Sequence, residues 1–400
     1  MRPTLIRLIA TAISLSLCYF ALVVGDFLLY RLSVMEMTDA QKLEQRRIEA
    51  EDKKLISEAK ARQLQPVFYP GSVEQYTNFM HIEQTYGVIP LGAQLNEHVY
   101  FCNEGYGLIE YKTDRFGFRN PDRVWDEPNV DILLIGDSFV HGACVSNQHT
   151  ISSYLEESFT SINLGSLADH PYIYSAKIKT FAPKIGARHV VLVFYANDNL
   201  HLSKDNIFKA SYLDNDVSYF AGEGNDLGPS QNVIEASAEI KRALALGLEN
   251  EGNQSKEAGF DGWGLAFRAL TYLRLSNIRN IVSSVFGERL SGSTLLLNPI
   301  PVASKAAIDQ LKKYCTPSGC EPLIIYIPAS KVWRNDPRCL DYSEALRNYA
   351  ENVGVNFKTM SDIFENHEEN EVYALKGPHL SPKGYKLVAE TIASELKSQL

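Results

Sequence analysis

The chain has 400 residues, of which 45% are apolar and 22% are charged, a composition typical of a globular protein rather than of a fibrous or disordered one. Its formal net charge of −9 argues against a general nucleic-acid binder, because such proteins need a basic surface that displaces counterions from phosphates. The 6 cysteines are too few for a small disulfide scaffold, and none stands in a paired CxxC pattern. No carboxylate pair or histidine cluster has metal-ligand spacing, so we expect no metal and no other cofactor.

The N-terminal segment is strongly apolar. Residues 8–25 read LIATAISLSLCYFALVVG without a charge, and apolar residues continue to about residue 30. A helix needs about 20 apolar residues to span a bilayer, whereas a cleaved signal peptide has a shorter apolar core and ends in a small-x-small site, which is not evident here. We therefore expect residues 8–30 to form an uncleaved transmembrane anchor, within an N-terminal segment of residues 1–35. Arg2 and Arg7 favour a cytoplasmic N-terminus, with the rest of the chain exported to the periplasm or an equivalent compartment.

A charged segment follows the anchor. Residues 38–62 read TDAQKLEQRRIEAEDKKLISEAKAR, a composition that favours helix, and Thr38 with Gln41 fits a capping box. Apolar residues are too sparse for a coiled-coil seam. We expect residues 36–65 to form a solvated helical stalk that Pro66 ends. Weak self-association is the alternative, so the oligomeric state stays open.

In the body, residues 66–400, short apolar runs of strand type alternate with helical stretches. The predicted strands are residues 130–135, 161–164, 189–195 and 321–328, and the predicted helices lie near 149–157, 172–184, 302–314 and 341–352. This alternation predicts an α/β fold with a parallel sheet and right-handed crossovers. In such sheets the reactive residues gather in the loops beyond the carboxyl ends of the strands.

Three of the predicted strands end in residues suited to ester chemistry. A hydroxyl nucleophile needs a nearby base, and the tetrahedral intermediate needs fixed donors for its oxyanion. Ser138 directly follows a strand on a glycine-led turn, which presents its hydroxyl at the sheet edge. We expect the backbone N–H groups of Ser138 and Gly165 and the side-chain amide of Asn197 to form the oxyanion hole. Asp137 and Asp198 are expected to be structural and to bond backbone groups around their turns.

The base is expected to come from the C-terminal part of the chain. His379 stands just before Ser381 and Pro382, an N-cap followed by proline at the first helical position. A helix from Pro382 onward would pack on the core and hold the histidine loop in place. His141, three residues after Ser138, either lines the pocket or is a surface-loop histidine, and the second interpretation is favoured.

These residues resemble the motif blocks of the SGNH, or GDSL-like, hydrolase superfamily, and they occur in the same chain order. Gly136-Asp137-Ser138 matches the nucleophile block, and Gly165, Asn197 and His379 match the second, third and last blocks. The resemblance implies a three-layer, flavodoxin-like α/β fold in which Ser138 and His379 are catalytic. The superfamily contains esterases, lipases and carbohydrate O-acyl transferases.

Two departures from the superfamily pattern concern the site itself. Tyr195 replaces the usual glycine two residues before the asparagine of the third block, which is expected to narrow the acyl pocket. The aspartate that normally stands two or three residues before the histidine is absent, because those positions hold Gly377 and Lys376. A backbone carbonyl or a distant acid such as Glu371 could replace it and leave a Ser–His dyad, or else the domain is slow or a relic.

The resemblance covers about residues 105–200 and 320–400 and leaves out an insert of residues 203–300. The insert is polar and contains glycine up to residue 262, a pattern that predicts a mobile loop. Residues 265–286 then have apolar side chains at helical spacing, which predicts a core-packing helix. A lid over the site and a helix on the membrane surface are the alternatives.

The cysteines of the body suggest disulfides if this part of the chain is exported. Cys102 and Cys144 are expected to pair and to brace the nucleophile loop, and Cys320 is expected to pair with Cys315 or Cys339. Connectivity does not follow from sequence alone, and in a cytoplasmic protein these cysteines would be free.

Taken together, these features predict an exported, membrane-anchored serine esterase or O-acyltransferase that acts through a Ser138–His379 acyl-enzyme mechanism. The resemblance and the envelope location suggest that the substrate is an ester, in particular an O-acetyl group, of a carbohydrate or glycolipid. Two alternatives stay open. One is a non-catalytic binding module that retains the fold and takes part in envelope polysaccharide assembly, and the other is a phospholipid-directed lipase.

Overall fold

In the computed structural model, the described residues are 53–71, 80–199, 219–221, 227–254, 300–331 and 341–398, with residues 14, 19, 22–25, 333 and 339. The chain divides into two compact units. One comprises Leu55–Leu248 with Asn298–Leu400, and the other comprises Met1–Lys54 with Glu249–Leu297.

The predicted anchor and stalk lie largely outside the described residues. Within the described part of the chain, no helix is long and apolar enough to cross a membrane. Of the predicted anchor, residues 8–30, only 14, 19 and 22–25 are described, and they are helical. Of the predicted stalk, residues 53–61 are helical, and this helix ends before Pro66, which belongs instead to a short strand.

A small sheet follows the stalk. It consists of β1 (Gln65–Pro66), β2 (His98–Phe101) and β3 (Ile109–Lys112), in the order β1-β2-β3. Strands β1 and β2 are parallel, and β2 and β3 are antiparallel. No strand was predicted in this region, because the strands are short and only part of each is buried. The connection between β2 and β3, residues 102–108, becomes important at the site.

The main sheet is parallel throughout, as predicted. Its strands are β4 (Ile132–Gly136), β5 (Ser161–Asn163), β6 (His189–Tyr195), β7 (Glu321–Ile327) and β8 (Asn356–Thr359), in the order β5-β4-β6-β7-β8. Numbered within this sheet, the order is 2-1-3-4-5, which is the flavodoxin-like arrangement. Strand β8 was not predicted, because it is an edge strand whose residues NFKT are only partly buried.

Helices connect the strands. They are α1 (Met80–Tyr86), α2 (Ser138–His141), α3 (Ile151–Leu155), α4 (Pro171–Ile185), α5 (Gln231–Gln254), α6 (Val302–Ser318), α7 (Ser343–Asn352), α8 (Ser361–Phe364), α9 (Glu369–Val372) and α10 (Pro382–Lys397). Helix α4 packs against α6, and α10 packs against α3. Strands β4 and β6 are buried at every residue, so the sheet between these helices is covered on both faces.

The prediction of a loop in the first part of the insert is wrong for the residues that form α5. Val233, Ala236 and Ile240 are spaced by three and four residues, so they share one helix face, and all three are buried. Ser237 lies on the same face and accepts a hydrogen bond from the backbone N–H of Leu95 at 2.9 Å. The polar residues of this segment are the exposed side of an amphipathic helix. The helix predicted over residues 265–286 lies outside the described residues.

Candidate active site

The candidate site lies where the strand order of the main sheet reverses. Strands β4 and β6 are neighbours, and Gly136 at the end of β4 is in register with Val193 of β6. Ser138 follows β4 and Asn197 follows β6, so both stand at the carboxyl edge of the sheet. In flavodoxin-like sheets the crevice at this point is the usual position of a ligand site.

A tight turn presents Ser138. The Asp137 carboxylate accepts a hydrogen bond from the backbone N–H of Phe139 at 2.9 Å and so caps α2, which is the structural role expected for it. Burial raises the pKa of Asp137 to about 6. A Cβ atom at Gly136 would lie 2.5 Å from a methyl group of Val140, so the turn requires glycine at this position. Ser138 thereby becomes the first residue of α2, directly beyond the sheet.

His379 reaches Ser138 from the loop that precedes α10. Ser381 caps α10 by accepting a hydrogen bond from the N–H of Gly384 at 3.0 Å, with Pro382 in the first turn. The backbone carbonyl of His379 accepts a hydrogen bond from the N–H of Ala374 at 2.9 Å, which closes the loop on itself. Nε2 of His379 lies 2.9 Å from Oγ of Ser138. This distance lets the imidazole accept the hydroxyl proton.

Glu104 supplies the carboxylate that the sequence pattern lacks. Its Oε1 lies 2.7 Å from Nδ1 of His379, and its Oε2 accepts a hydrogen bond from the backbone N–H of His379 at 3.2 Å. Both carboxylate oxygens therefore hold the histidine. With Nδ1–H donated to Glu104, the neutral imidazole carries its lone pair on Nε2, which faces Ser138. The two side chains are only 13% and 11% exposed, so little water competes for this contact.

Gly377 makes room for Glu104. A Cβ atom at Gly377 would lie 1.9 Å from the carboxyl carbon of Glu104, a distance that no side chain can tolerate. Gly377 stands at one of the positions where the SGNH superfamily usually has aspartate. An aspartate there and a glutamate at position 104 cannot occupy the same space. The missing aspartate is thus explained, because a different part of the chain delivers the acid.

The suggestion that Glu371 replaces the aspartate is wrong. The Glu371 carboxylate is paired with Lys383 at 2.9 Å, its side chain is 47% exposed, and Lys383 holds its pKa below the usual value. The expected dyad is likewise replaced by a three-residue arrangement. One signal in the sequence pointed to Glu104: Cys102 was expected to pair with Cys144, and Glu104 is two residues from that cysteine.

The disulfides agree with the pairing suggested from the sequence. Cys102 is bonded to Cys144, and Cys315 is bonded to Cys320. Of the two partners proposed for Cys320, Cys315 is confirmed, and Cys339 is buried and belongs to neither of these disulfides. Sγ of Cys144 lies 3.7 Å from Nδ1 of His379, so the first disulfide belongs to the site.

The expected oxyanion hole needs one correction. The backbone N–H of Gly165 donates a hydrogen bond to Oδ1 of Asn163 at 2.8 Å, so it is occupied. A Cβ at Gly165 would lie 2.2 Å from the backbone nitrogen of His141, which means that glycine lets this strand end pack against α2. The N–H of Ser138 has no hydrogen-bond acceptor among the described residues, and Asn197 is half-buried at the same sheet edge.

Buried residues around the nucleophile turn fix it in place. Arg119 is buried and donates to the carbonyl oxygens of Gly142 at 2.6 Å and Val145 at 2.8 Å. Nε2 of His141 is 2.7 Å from the hydroxyl of Tyr111, and the ring is buried, so the surface-loop interpretation is wrong. Burial lowers the pKa of His141 well below its usual value, which makes it a neutral packing residue.

One further acidic residue, Asp198, is buried directly after β6. Asp198 accepts hydrogen bonds from the hydroxyl of Tyr174 at 3.1 Å and from the N–H of Tyr195 at 3.0 Å, a structural role as expected. The Tyr195 ring stacks on Phe139, with ring centroids 3.9 Å apart, and the Phe139 ring is 5.1 Å from that of His379. Tyr195 thus fills the space beside the residue that follows Ser138.

One cluster in the described part of the chain has the spacing of metal ligands. It consists of Glu104, Cys144 and His379, whose ligand atoms lie within 4.8 Å of one another. The sulfur of Cys144 is in a disulfide, and Glu104 is hydrogen-bonded to His379. The sulfur of Cys144 is therefore not a free thiolate ligand, and Glu104 and His379 form an acid–base pair rather than part of a metal site.

Comparison with known proteins adds little to this geometry. No protein-family model matches the chain, and no curated protein matches it. Among solved structures, it is similar to a chain from Desulfitobacterium hafniense DCB-2 that is described as a lipolytic protein of the G-D-S-L family. The sequence identity is 11% and the TM-score is 0.34, and the match covers 66% of this chain and 99% of that chain. At this similarity the likeness carries no weight for function, and the assignment of fold and chemistry rests on the strand order and the side-chain geometry of this chain.

Proposed function

We propose that this chain is a serine-dependent ester hydrolase or O-acyltransferase, with Ser138 as nucleophile, His379 as general base and Glu104 as the acid that orients it. One observation carries the proposal. Oγ of Ser138, the imidazole of His379 and the carboxylate of Glu104 form a continuous hydrogen-bonded series, with contacts of 2.9 and 2.7 Å. This is the order of groups by which a histidine and an acid activate a serine hydroxyl.

The first half of the reaction transfers the acyl group to the protein. Oγ of Ser138 attacks the ester carbonyl carbon while its proton passes to Nε2 of His379, and the carbonyl electrons become the oxyanion. When the oxyanion collapses, the bond to the leaving oxygen breaks and Nε2 returns the proton to it. The products are the free alcohol and acyl-Ser138. The N–H of Ser138 and the side-chain amide of Asn197 are proposed as the oxyanion donors.

The second half regenerates the serine. His379 takes a proton from water or from a sugar hydroxyl, the oxygen attacks the acyl carbon, and Ser138 leaves with the proton that Nε2 returns. Water gives a carboxylic acid, and a sugar hydroxyl gives a new ester. Glu104 is negatively charged next to the imidazolium that forms in both halves, so it stabilises that cation and keeps Nδ1 protonated throughout.

We extend the proposal to location and substrate. Two disulfides fit a body that folds in an oxidising compartment, which supports export through an anchor at residues 8–30. Tyr195 and Phe139 fill the space beside Ser138, which favours a small acyl group. We therefore propose an O-acetyl ester of a carbohydrate or glycolipid as substrate, by analogy with the SGNH superfamily.

One of the two alternatives loses support. The main argument for a non-catalytic binding module was the absent aspartate, and Glu104 occupies the place of that carboxylate beside His379. The argument for a phospholipid lipase came from the anchor and from a helix over residues 265–286, and this alternative stays open because residues 265–286 lie outside the described part of the chain. A preference for long acyl chains in the experiment below would favour the lipase.

The test uses the full chain in detergent micelles. We would measure turnover of activated acetyl, butyryl and octanoyl esters and of an O-acetylated oligosaccharide, with and without an added sugar acceptor, and labelling by a serine-directed fluorophosphonate. The variants are Ser138→Ala, His379→Ala and Glu104→Gln. The matched controls are Ser398→Ala, His367→Ala and Glu371→Gln.

The expected result is acetyl ester turnover and labelling that are lost in the first two variants, reduced in the third and unchanged in the controls. A product ester that forms only with the sugar acceptor would assign a transferase. If the folded wild-type chain neither turns over any ester nor reacts with the probe, with or without acceptor, the proposal is overturned.

A further inference from the structure

The acid of the site belongs to a different sheet from the nucleophile. Ser138 follows strand β4 of the main sheet, whereas Glu104 lies in the loop of residues 102–108 between β2 and β3 of the small sheet. Glu104 and His379 are 275 positions apart in the chain. An acid placed two residues before the histidine would share its loop, but here the acid must be held beside His379 by tertiary contacts.

Besides the Glu104–His379 contacts, hydrogen bonds within the loop and to the histidine loop set its conformation. Internally, Oδ1 of Asn103 accepts hydrogen bonds from the N–H groups of Gly105 and Gly107 at 2.9 and 3.0 Å, which sets the local turn. Externally, the carbonyl of Glu104 accepts a hydrogen bond from the N–H of Lys376 at 3.2 Å. These are neutral or long contacts near solvent, each of which contributes about 1 kcal/mol or less.

The Cys102–Cys144 disulfide is the covalent connection between this loop and the nucleophile loop. Cys102 is two residues before Glu104, and Cys144 is six residues after Ser138. The Cα atoms of the two cysteines are 5.3 Å apart. The bond therefore fixes the start of the acid loop at a point close to the serine that the acid serves.

Several hydrogen bonds hold the nucleophile side of the disulfide. Arg119 holds the carbonyls on either side of Cys144, those of Gly142 and Val145. The hydroxyl of Tyr385 donates to the carbonyl of Ala143 at 3.0 Å, which ties the same loop to α10. Cys144 has a φ of +61°, a left-handed conformation that these contacts maintain. A cysteine anchored in this way transmits its position to its disulfide partner.

We infer that the Cys102–Cys144 disulfide is a positioning element of the active site, which holds the Glu104 carboxylate against Nδ1 of His379. The inference rests on the proposed function. Sγ of Cys144 also lies 3.7 Å from Nδ1, so the bridge borders the space in which the Glu104–His379 contact forms. Without the bridge, the acid loop samples positions away from the imidazole. We expect kcat to fall by about 10- to 100-fold, because a displacement of about 1 Å in a catalytic group has an effect of that size.

The test is a double-mutant cycle on the full chain in detergent. We would compare Cys102→Ser/Cys144→Ser with Cys315→Ser/Cys320→Ser, which removes the other disulfide, in the wild-type and Glu104→Gln backgrounds. The measured quantities are kcat and KM for an activated acetyl ester and the rate of fluorophosphonate labelling. We expect the first pair of substitutions to lower kcat with little change in KM, and only while Glu104 is present, whereas the second pair leaves kcat unchanged.

A second measurement is needed if Cys102→Ser/Cys144→Ser protein fails to fold. In Cys315→Ser/Cys320→Ser protein, the Cys102–Cys144 bridge, of which Cys102 is partly exposed and Cys144 is buried, is reduced with dithiothreitol. The reagent supplies two electrons and two protons, becomes its cyclic disulfide and leaves two thiols. We expect kcat to fall while circular dichroism stays unchanged, and to return on reoxidation.

The outcomes separate this inference from the proposed function. A wild-type chain with no activity overturns the proposed function and the inference with it. An active wild-type chain whose kcat survives loss of the bridge overturns the inference alone. An equal fold-loss in the Glu104→Gln background also overturns it, because the bridge would then act on stability in general and not through the acid.

Discussion

The close approach of Gly377 to the Glu104 carboxyl group gives the sharpest prediction. In Gly377→Ala the new Cβ would lie 1.9 Å from the Glu104 carboxyl carbon, whereas ordinary contact begins at 3.4 Å. The carboxylate must therefore withdraw by about 1.5 Å, the difference between those distances, which breaks its 2.7 Å contact with Nδ1 of His379. The backbone at Gly377 is outside the left-handed region, so alanine adds no strain of its own.

The magnitude follows from what the imidazole loses. A hydrogen bond to a charged group contributes about 1.5–3 kcal/mol. An ion pair about 4 Å apart near a protein surface contributes about 4 kcal/mol, and the two contributions overlap. We expect the barrier to rise by about 3–4 kcal/mol, which lowers kcat by about 10²- to 10³-fold. Glu104→Ala should have an effect of the same size.

The assay is kcat for an activated acetyl ester, with KM measured alongside. Glu104→Ala/Gly377→Ala should be no slower than Glu104→Ala, because both changes remove the same contact. Glu104→Ala/Gly377→Asp should recover part of the activity, since the space left by Glu104 is then open to an aspartate from the position that the SGNH superfamily uses. Gly377→Ala protein with wild-type kcat, or losses that multiply in the double variant, would refute the reasoning.

Three further predictions concern buried groups. Burial raises the pKa of Asp114 to about 6, so the folded state holds its proton to a higher pH than the unfolded chain does. Urea titrations would give the unfolding free energy of wild type and of Asp114→Asn at each pH. The value for wild type minus the value for Asp114→Asn should decrease by about 3 kcal/mol as the pH rises from about 4 to about 6. A difference between the two proteins that does not change with pH would contradict this. Arg119→Met should lower the unfolding free energy by about 2–4 kcal/mol, because two buried carbonyls lose their donor. It should also slow labelling of Ser138. An unchanged unfolding free energy together with an unchanged labelling rate would contradict this prediction. Lys177→Met should lower the unfolding free energy in urea titrations by about 3–5 kcal/mol, because it leaves the buried Asp169 carboxylate unpaired. Lys177→Met/Asp169→Asn should be less destabilised than the single variant, and an equal loss in both would contradict this.

Much of the fold follows from local signals in the sequence. Strands β4 and β6 are short, continuous apolar runs because both of their faces are covered, and such runs are visible without a structure. Helix α10 is marked by the Ser381 cap and Pro382. The edge strand β8 and helix α5 were missed for the opposite reason, because each buries only part of its surface and its remaining residues are polar.

The positions of Ser138 and His379 could also be predicted from the neighbouring sequence, because each residue is fixed by the strand or helix beside it. The acid was not, because Glu104 comes from another sheet and no spacing rule connects it to His379. The sequence also did not show that the Gly165 N–H donates a hydrogen bond to the Asn163 side chain, which removes it from the oxyanion hole. The sequence by itself determined which elements carry the nucleophile and the base. Only the tertiary structure decided which carboxylate completes the site, because that contact joins segments 275 positions apart whose approach depends on packing and on the Cys102–Cys144 bond.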